Sequence, residues 1–399
     1  MSRERLTLSP NVVALGLVSL LMGISSAMIH GLLPVFLVQV LGAGMIVVGA
    51  IEGTAEGMVS FAKILSGIAS DWSGRRKWLV LLGYGLSATN KILFPLAGTA
   101  LVVLVARVID RLGKGIRDAP RDALIADVTP SAIRGTGFGL RLSLYTVGAV
   151  LGPLCAIGLM FLSGDDFRFV FWMATIPAFL SVIVLARNVR EPPEHYAQRK
   201  YRFSIRVHDL IHLGTPFWWA VSISATLSLA RFSQAFLLLK SHDIGTDAGL
   251  VPVILVVMNL VFSISAYPFG ILADRIDRSA QLALGALVLV AADLVLVMGS
   301  TIWTVALGGA LWGLQAGVTQ GLLAASVADA APVHLRGTAF GTYELIVGIA
   351  TFFASVGAGA LWAAAGPRAT FSTGACIAAT AIILIAIRTT SLKSTNPSP

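Results

Sequence analysis

The densest group of ionisable residues in the sequence lies between residues 107 and 122. Its eight charged members are Arg107, Asp110, Arg111, Lys114, Arg117, Asp118, Arg121 and Asp122. On a helix that turns by 100° per residue, all eight fall within an arc of about 140°. The segment therefore predicts a helix with a charged face and an apolar face. The cationic side chains of that face could bind an anion, and its carboxylates could carry protons.

A second set of charges lies on the preceding apolar segment. Glu52, Glu56 and Lys63 share one face of a helix, within about 40° of each other. Two carboxylates one turn apart repel each other, so either could carry a proton or act in a gate. The alternative is a closed ion-pair network in which both carboxylates only neutralise the arginines of residues 107–122.

The composition places these charges inside a membrane protein. Of 399 residues, 56% are hydrophobic and only 12% are charged, whereas soluble domains carry about 25% charged residues. Residues 248–273, 301–328, 345–367 and 369–387 are charge-free runs, each long enough for a spanning helix. Eight charges facing lipid would cost about 20 kcal/mol. The charged face must therefore line water or meet partner charges.

Hydropathy predicts twelve spans, the first of them uncleaved. The first six lie near residues 11–38, 44–66, 77–97, 100–126, 139–161 and 168–187. The second six lie near residues 215–239, 249–270, 280–299, 302–327, 341–362 and 369–387. Outside the spans, 17 basic residues lie at the termini and even-numbered loops, against three on the other side: Arg168, Lys240 and Arg368. This bias predicts that both termini are cytoplasmic.

Two passages recur about 200 residues apart, which indicates a duplicated unit. Residues 67–76 resemble residues 270–278, and residues 126–139 resemble residues 328–341. We therefore predict an all-α membrane protein with twelve transmembrane helices in two six-helix halves related by a pseudo-two-fold axis. The halves would be residues 1–187 and 215–399, joined by a cytoplasmic linker at 188–214.

The repeated passages resemble motifs of the major facilitator superfamily of secondary transporters. The loop signature of that family is similar to Gly67, Asp71, Gly74, Arg75 and Arg76, with a weaker second copy at Gly270, Asp274 and Arg278. The resemblance implies that Asp71 is a gate residue held at a helix N-terminus. The alternative is that the basic residues here only set orientation. The conformational signature would also include the second repeated passage, at Asp127, Arg134, Asp329 and Arg336.

Two further motifs bear on coupling and direction. Arg107 and Asp110, followed by Gly113, resemble the helix-4 signature of the family, in which an arginine is linked to proton transfer. This chain departs from the signature at Arg111, Lys114, Arg117 and Arg121, which puts that role in doubt. Together with Glu52 and Glu56, the motif resembles an uncharacterised prokaryotic branch of the family. Gly148, Gly152 and Pro153 resemble the helix-5 signature of proton antiporters, although Ala156 and Ile157 replace its final glycines.

Isolated polar residues in other spans are harder to interpret. His30 and Arg231 are candidate cavity residues, although a lone histidine is as often structural. Lys91 is expected to extend to the membrane interface. Asp293 and Arg231 are charges in spans for which the sequence names no partner.

These observations predict a proton-coupled carrier that exports a small polar or anionic solute. Arg107, Arg111, Lys114, Arg117, Arg121, His30 and Arg231 would contact the solute. Glu52, Glu56, Lys63, Asp110, Asp118 and Asp122 would carry protons or act in gates. The alternatives are an importer of an organic anion and a non-transporting sensor or scaffold that keeps the carrier fold.

The prediction includes several absences. Phosphate-binding and hydrolase motifs are missing, so we expect no enzyme activity, no cofactor and no metal. Nucleic acid is not an expected partner, because the basic residues lie at membrane boundaries or in spans. The expected partners are the lipid bilayer, the solute and protons. The expected location is the inner membrane of a bacterium, where the chain would be monomeric.

Overall fold

A computed structural model describes residues 9–73, 76–130, 133–191, 213–273, 276–331 and 335–395. Within these ranges the chain consists of helices joined by short connections, and it contains no strand. The first half contains α1 (Pro10–Val35), α2 (Met45–Ser73), α3 (Arg76–Asn90), α4 (Leu93–Leu96), α5 (Ala100–Val128), α6 (Arg134–Ser163) and α7 (Phe167–Asn188). The second half contains α8 (Thr215–Ala230), α9 (Ala235–Asp243), α10 (Val253–Ala273), α11 (Arg278–Met298), α12 (Ile302–Ala330) and α13 (Arg336–Thr395).

These elements form twelve transmembrane helices in two six-helix halves, which confirms the predicted fold class. Within the described ranges, nine helical segments are long and apolar enough to cross a membrane. One of them, Ala339–Thr389, is 51 residues long and corresponds to two predicted spans, because α13 is interrupted at Gly366 (φ 80°). Helix α5, which is charged, and helix α12 bring the number of transmembrane helices to twelve. Helices are the favoured elements here, because each satisfies its own backbone hydrogen bonds in lipid.

Three segments differ from the predicted boundaries. Helix α2 continues to Ser73, so Gly67 and Asp71 lie in its last turns and not in a loop. The third span contains a turn at Lys91 and Ile92, between α3 and α4. The seventh span, predicted as continuous from 215 to 239, is interrupted between Ala230 and Ala235. Hydropathy misses such interruptions, because an average over about 20 residues stays apolar when only a few of them are polar.

The described residues form two compact units, one within residues 1–33 and 58–202 and the other within residues 34–57 and 203–399. In the first unit, the apolar sides of α1, α3, α5 and α7 pack together around Leu15, Tyr84, Leu124 and Leu185. In the second unit, Phe217 and Val221 of α8 pack with Val327 of α12 and Ala339 of α13. Helix α5 joins the first of these cores through Leu124 and Ile125, near its C-terminal end.

Helices α3 and α5 approach each other closely because glycines form their contact. A Cβ atom on Gly83 would lie 2.6 Å from the Gly113 carbonyl oxygen, and one on Gly113 would lie 2.6 Å from Ser87 Oγ. Neither position has room for a side chain. This contact brings the polar residues of α3 within reach of the charged face of α5.

We predict that Gly83→Ala lowers the free energy of unfolding by about 1–3 kcal/mol, because the added methyl group must push the two backbones apart. The control is Gly85→Ala, where a Cβ would meet no atom within 4 Å. This control should be neutral or stabilising by up to about 1 kcal/mol through helix propensity. Denaturation of both purified variants in detergent measures the difference, and equal stabilities would contradict the close contact.

Candidate functional site

The charged face of α5 is mostly buried, as the cost of exposing it to lipid requires. Five of its eight charged residues are at most 8% exposed: Arg107, Asp110, Arg111, Arg117 and Arg121. The other three, Lys114, Asp118 and Asp122, are partly exposed. Most of these side chains therefore lie inside the helix bundle, where six of the eight form three groups along α5.

The first group surrounds Asp110. Its Oδ1 atom lies 3.1 Å from Lys91 Nζ, and its Oδ2 atom lies 3.8 Å from His30 Nε2. The other neighbour of His30 is Arg107, whose guanidinium contacts the same Nε2 atom. Lys91 Nζ also donates a hydrogen bond of 3.1 Å to Ser26 Oγ. Asp110 of α5 thus lies between Lys91, in the turn after α3, and His30 of α1, and His30 in turn contacts Arg107.

The expectation for Lys91 was wrong. Its side chain is fully buried and pairs with Asp110, so it does not extend to the membrane interface. The turn that follows α3 points the lysine inward, where the carboxylate compensates its charge. A sequence signal was available: Tyr84, Ser87 and Lys91 are spaced by three and four residues, which places three polar side chains on one face of an apolar span.

The second group holds Arg117. Its Nη1 atom donates a hydrogen bond of 2.6 Å to Ser87 Oγ, and its Cζ atom lies 4.5 Å from the centre of the Tyr84 ring. The ring face attracts the cation, and this attraction is stronger away from water. Arg117 is therefore held by neutral groups, which stabilise its position without cancelling its charge.

The third group is an ion-pair network around Arg121. Its Nη1 atom lies 2.8 Å from Asp118 Oδ1, and its Nη2 atom lies 2.9 Å from Asp122 Oδ1. Arg141 of α6, which the sequence analysis did not single out, has its Nε atom 3.9 Å from the same Asp122 oxygen. Asp118 and Asp122 thus contribute to a compensated network that joins α5 to α6.

Glu52 and its hydrogen-bond partner Ser233 both belong to the second compact unit, whereas α5 belongs to the first. Ser233 Oγ donates a hydrogen bond of 3.0 Å to Glu52 Oε2, and Glu52 is only 6% exposed. Ser233 lies in the interruption of the seventh span, where its Oγ atom also accepts a hydrogen bond from the Ala235 amide. Glu56 and Lys63 are partly exposed residues of the same helix. A gate role for Glu52 would therefore act on the start of α9.

Arg231 and Asp293 are brought together by Trp312. The indole Nε1 atom donates a hydrogen bond of 3.0 Å to Asp293 Oδ1. The Arg231 Cζ atom lies 5.7 Å from the centre of the same indole ring. Asp293 and Arg231 thus share Trp312 as a neighbour, and all three residues belong to the second unit.

The duplicated motifs form the same ion pair in each unit. Arg76 contacts Asp127, and Arg278, which lies 202 positions later, contacts Asp329. The Arg76 Nη1 atom also donates a hydrogen bond of 2.9 Å to the Ala123 carbonyl. In each unit, the arginine at the start of one helix thus binds the aspartate near the end of a neighbouring helix.

The other signature residues have packing roles or lie outside the description. Arg134 Nε donates a hydrogen bond of 3.1 Å to the Ala126 carbonyl. A Cβ on Gly148 would lie 2.5 Å from the Leu20 carbonyl oxygen. At Gly152 it would lie 2.6 Å from the Ile24 carbonyl oxygen.

Pro153, next to Gly152, lies inside α6. A Cβ atom on Gly67 would lie 3.8 Å from the Ala119 Cβ atom, which is an ordinary contact. A Cβ atom on Gly270 would meet no atom within 4 Å. Gly74, Arg75 and Asp274 lie outside the described residues, and the side chains of Asp71 and Arg336 are not described. The described residues also contain no group of three or more His, Cys, Asp or Glu side chains that could hold a metal ion.

We predict that Lys91→Met lowers the free energy of unfolding by about 3–5 kcal/mol, because it removes one partner of a buried ion pair. The double variant Lys91→Met with Asp110→Asn should recover part of that loss, since neither charge then remains. Thermal unfolding of the two single variants and the double variant gives the coupling energy. Strictly additive losses would show that the two side chains do not interact.

Comparison with known proteins identifies the family to which this architecture belongs. The sequence profile described as the Major Facilitator Superfamily matches residues 15–240 and 218–399. An uncharacterised MFS-type transporter of Methanocaldococcus jannaschii is 32% identical over 377 residues, which cover 93% of each chain. A multidrug resistance protein of Photorhabdus laumondii is 30% identical over 154 residues, covering 39% of this chain and 37% of that protein.

A solved structure has the same fold at low sequence identity. A bacterial homologue of the human lysosomal transporter Spinster aligns with a TM-score of 0.73 and 16% identity over 94% of both chains. The twelve helices, the repeated ion pairs and the family match over most of the sequence lead to one conclusion. This chain is a multi-pass membrane transporter that belongs to the Major Facilitator Superfamily.

Proposed function

We propose that this chain is a proton-coupled carrier that exports a small anionic or polar solute. The observation that supports this proposal best is the charge balance of the buried face. Among the charged residues at positions 107–122 of α5, together with Lys91, six are cations and three are carboxylates. This excess of positive charge lies on a face that is mostly buried.

An excess of buried positive charge is costly unless an anion compensates it. The arrangement around Arg117 suggests where that anion binds. Ser87 and Tyr84 orient this guanidinium through neutral contacts, so its positive charge remains available to a carboxylate or phosphate group. Arg107, Arg111 and Lys114 lie on the same face and would extend the binding surface.

The proposed proton carriers are the carboxylates Asp110, Glu52 and Glu56. Asp110 lies between Lys91 and His30, so protonation of Asp110 would weaken its hold on both. Glu52 accepts a hydrogen bond from Ser233 at the interruption of the seventh span. Glu56 lies one turn further along α2 and is partly exposed.

Two observations support export over import. The relative from Photorhabdus laumondii is described as a multidrug resistance protein. The Gly148, Gly152 and Pro153 pattern that resembles the antiporter signature forms a close contact between α6 and α1. Packing alone accounts for the two glycines, so direction rests on the relative and the resemblance together.

The proposal includes an orientation and a domain arrangement. The bias of basic residues would place both termini in the cytoplasm. The six-helix halves, residues 1–187 and 215–399, would be joined on that side by residues 188–214. The chain would function as a monomer in the bacterial plasma membrane.

Arg117→Gln should weaken the apparent affinity for an anionic solute by about ten- to a hundred-fold, the effect of losing about 1.5–3 kcal/mol from a charged hydrogen bond. The matched control is Arg187→Gln, an exposed arginine at the end of α7, which should leave the affinity unchanged. Uptake into inverted vesicles, measured against solute concentration, gives both values. Equal affinities in the two variants would remove Arg117 from the solute site.

Glu56→Gln should abolish the pH dependence of transport, because the amide cannot carry a proton. Reconstituted protein with a pH-sensitive dye inside the vesicles reports proton flux when solute is added. The control is Asp165→Asn, an exposed loop residue, which should behave like the parent protein. An unchanged pH response in Glu56→Gln would exclude Glu56 from coupling. No solute-dependent proton flux in the parent protein would favour the sensor alternative, and flux only in the inward direction would favour the importer.

A further inference from the structure

The interruption of the seventh span leaves a backbone carbonyl without its helical partner. Helix α8 ends at Ala230, and α9 begins at Ala235. The last carbonyl groups of a helix have no partner inside the helix, and inside a membrane they must be satisfied by other groups. Within the part of the chain that the structure describes, the Ala230 carbonyl accepts no hydrogen bond from the residues that follow it.

A carboxylate oxygen of Asp293 and the Ala230 carbonyl oxygen border the same small space. Asp293 of α11 is completely buried. Its Oδ1 atom is satisfied by the Trp312 indole, whereas its Oδ2 atom has no hydrogen-bond partner among the described residues. A Cβ on Gly374 would lie 2.6 Å from Asp293 Oδ2 and 3.2 Å from the Ala230 carbonyl oxygen. Both oxygens therefore border the small space that Gly374 leaves open by lacking a side chain.

Two acceptors that border one space away from water are unfavourable unless something positive lies between them. A proton on Oδ2 would convert the carboxylate into a donor toward the Ala230 carbonyl, while Trp312 continues to donate to Oδ1. The C-terminal end of α8 carries a partial negative charge, which favours a proton at this place in the same way.

Other groups around Asp293 favour the ionised form of its carboxyl group. The charged group that faces it is Arg231, in the interruption, whose guanidinium lies against the Trp312 ring. Helix α12 contributes the Trp312 indole, and α13 contributes Gly374. The interruption also contributes Phe232, whose ring centre lies 5.5 Å from that of Trp312. Arg231 favours the ionised carboxylate, and the Ala230 carbonyl favours the protonated acid.

We propose that Asp293 is a proton-binding site that closes the interruption of the seventh span by a hydrogen bond to the end of α8. Proton binding adds one proton to Oδ2 and consumes nothing else, and proton release returns the carboxylate to the field of Arg231. The site lies outside the set proposed above to carry protons, and it does not depend on which solute is carried.

The site has a direct connection to the rest of the protein. Ser233, two residues after Arg231, donates its hydrogen bond to Glu52. A change at Asp293 that moves the end of α8 would therefore reach Glu52 through Arg231, Phe232 and Ser233, which are not helical. The interruption thus links two buried carboxylates, and protonation of one would alter the hydrogen bond of the other.

Infrared difference spectroscopy tests this site without any solute. The purified parent protein is titrated from mildly acidic to mildly alkaline conditions, and the carbonyl stretch of a protonated carboxylic acid is followed. The expected result is a band that disappears as the pH rises and that is missing from Asp293→Asn at every pH. The control Asp165→Asn should retain it. An identical band in the parent protein and in Asp293→Asn would overturn the proposal.

Two further variants keep the test decisive if Asp293→Asn does not fold. Asp293→Glu should keep an acid band but shift it, because the longer side chain changes the hydrogen bond to the end of α8. An unshifted band would count against the site. Gly374→Ala places a methyl group in the space between the two oxygens, and it should change the midpoint of the titration. An unchanged midpoint would show that the two oxygens do not share the space.

Sodium is the other small cation that two oxygens could bind. Thermal unfolding is compared in sodium and choline chloride at equal ionic strength, for the parent protein and Asp293→Asn. Equal transitions in the two salts are expected for a proton site. Stabilisation by sodium that is lost in Asp293→Asn would assign the space to sodium and overturn the proton assignment. Because no test here requires transport, failure of the proposed export activity would leave these results unaffected.

Discussion

The cost of placing charge in a medium that cannot solvate it governs most of this structure. Each ionised group inside a spanning helix must meet an opposite charge, an oriented dipole or water. The chain satisfies this requirement in different ways along α5. Asp110 is paired with Lys91, Arg121 is paired with two carboxylates, and Arg117 is held by a hydroxyl and an aromatic ring. The last arrangement leaves positive charge uncompensated by the groups that hold it.

The two units share a repeated ion pair but differ in their other buried polar residues. Each unit repeats one ion pair, Arg76 with Asp127 and Arg278 with Asp329, which joins the start of one helix to the end of another. The eight charges of residues 107–122 have no such repeat in α12, where residues 302–328 carry no charge. The first unit carries the cationic face of α5, whereas the second unit carries a helix interruption bordered by Asp293 and Trp312. A duplicated fold has thus acquired two different polar sites.

Much of this was predictable from the sequence, because hydropathy and periodicity depend on local residue types. The twelve helices and the burial of the charged face of α5 follow from such patterns. The pairing of Lys91 with Asp110 did not, since it depends on a turn after α3 that hydropathy does not detect. The interruption at Arg231 was missed for the same reason. The repeated ion pair joined residues from two different motifs, which became neighbours only through helix packing.

Anion binding at the cationic face of α5 is the proposal on which the suggested function depends. Charge movement in membranes adsorbed to a sensor electrode tests it most directly, because each binding event of a charged solute moves charge. Anionic, neutral and cationic solutes of similar size are supplied in turn. The account predicts transient currents for anions that saturate with concentration and that shrink in Arg117→Gln. Currents elicited equally by cationic solutes, or by no solute at all, would contradict it.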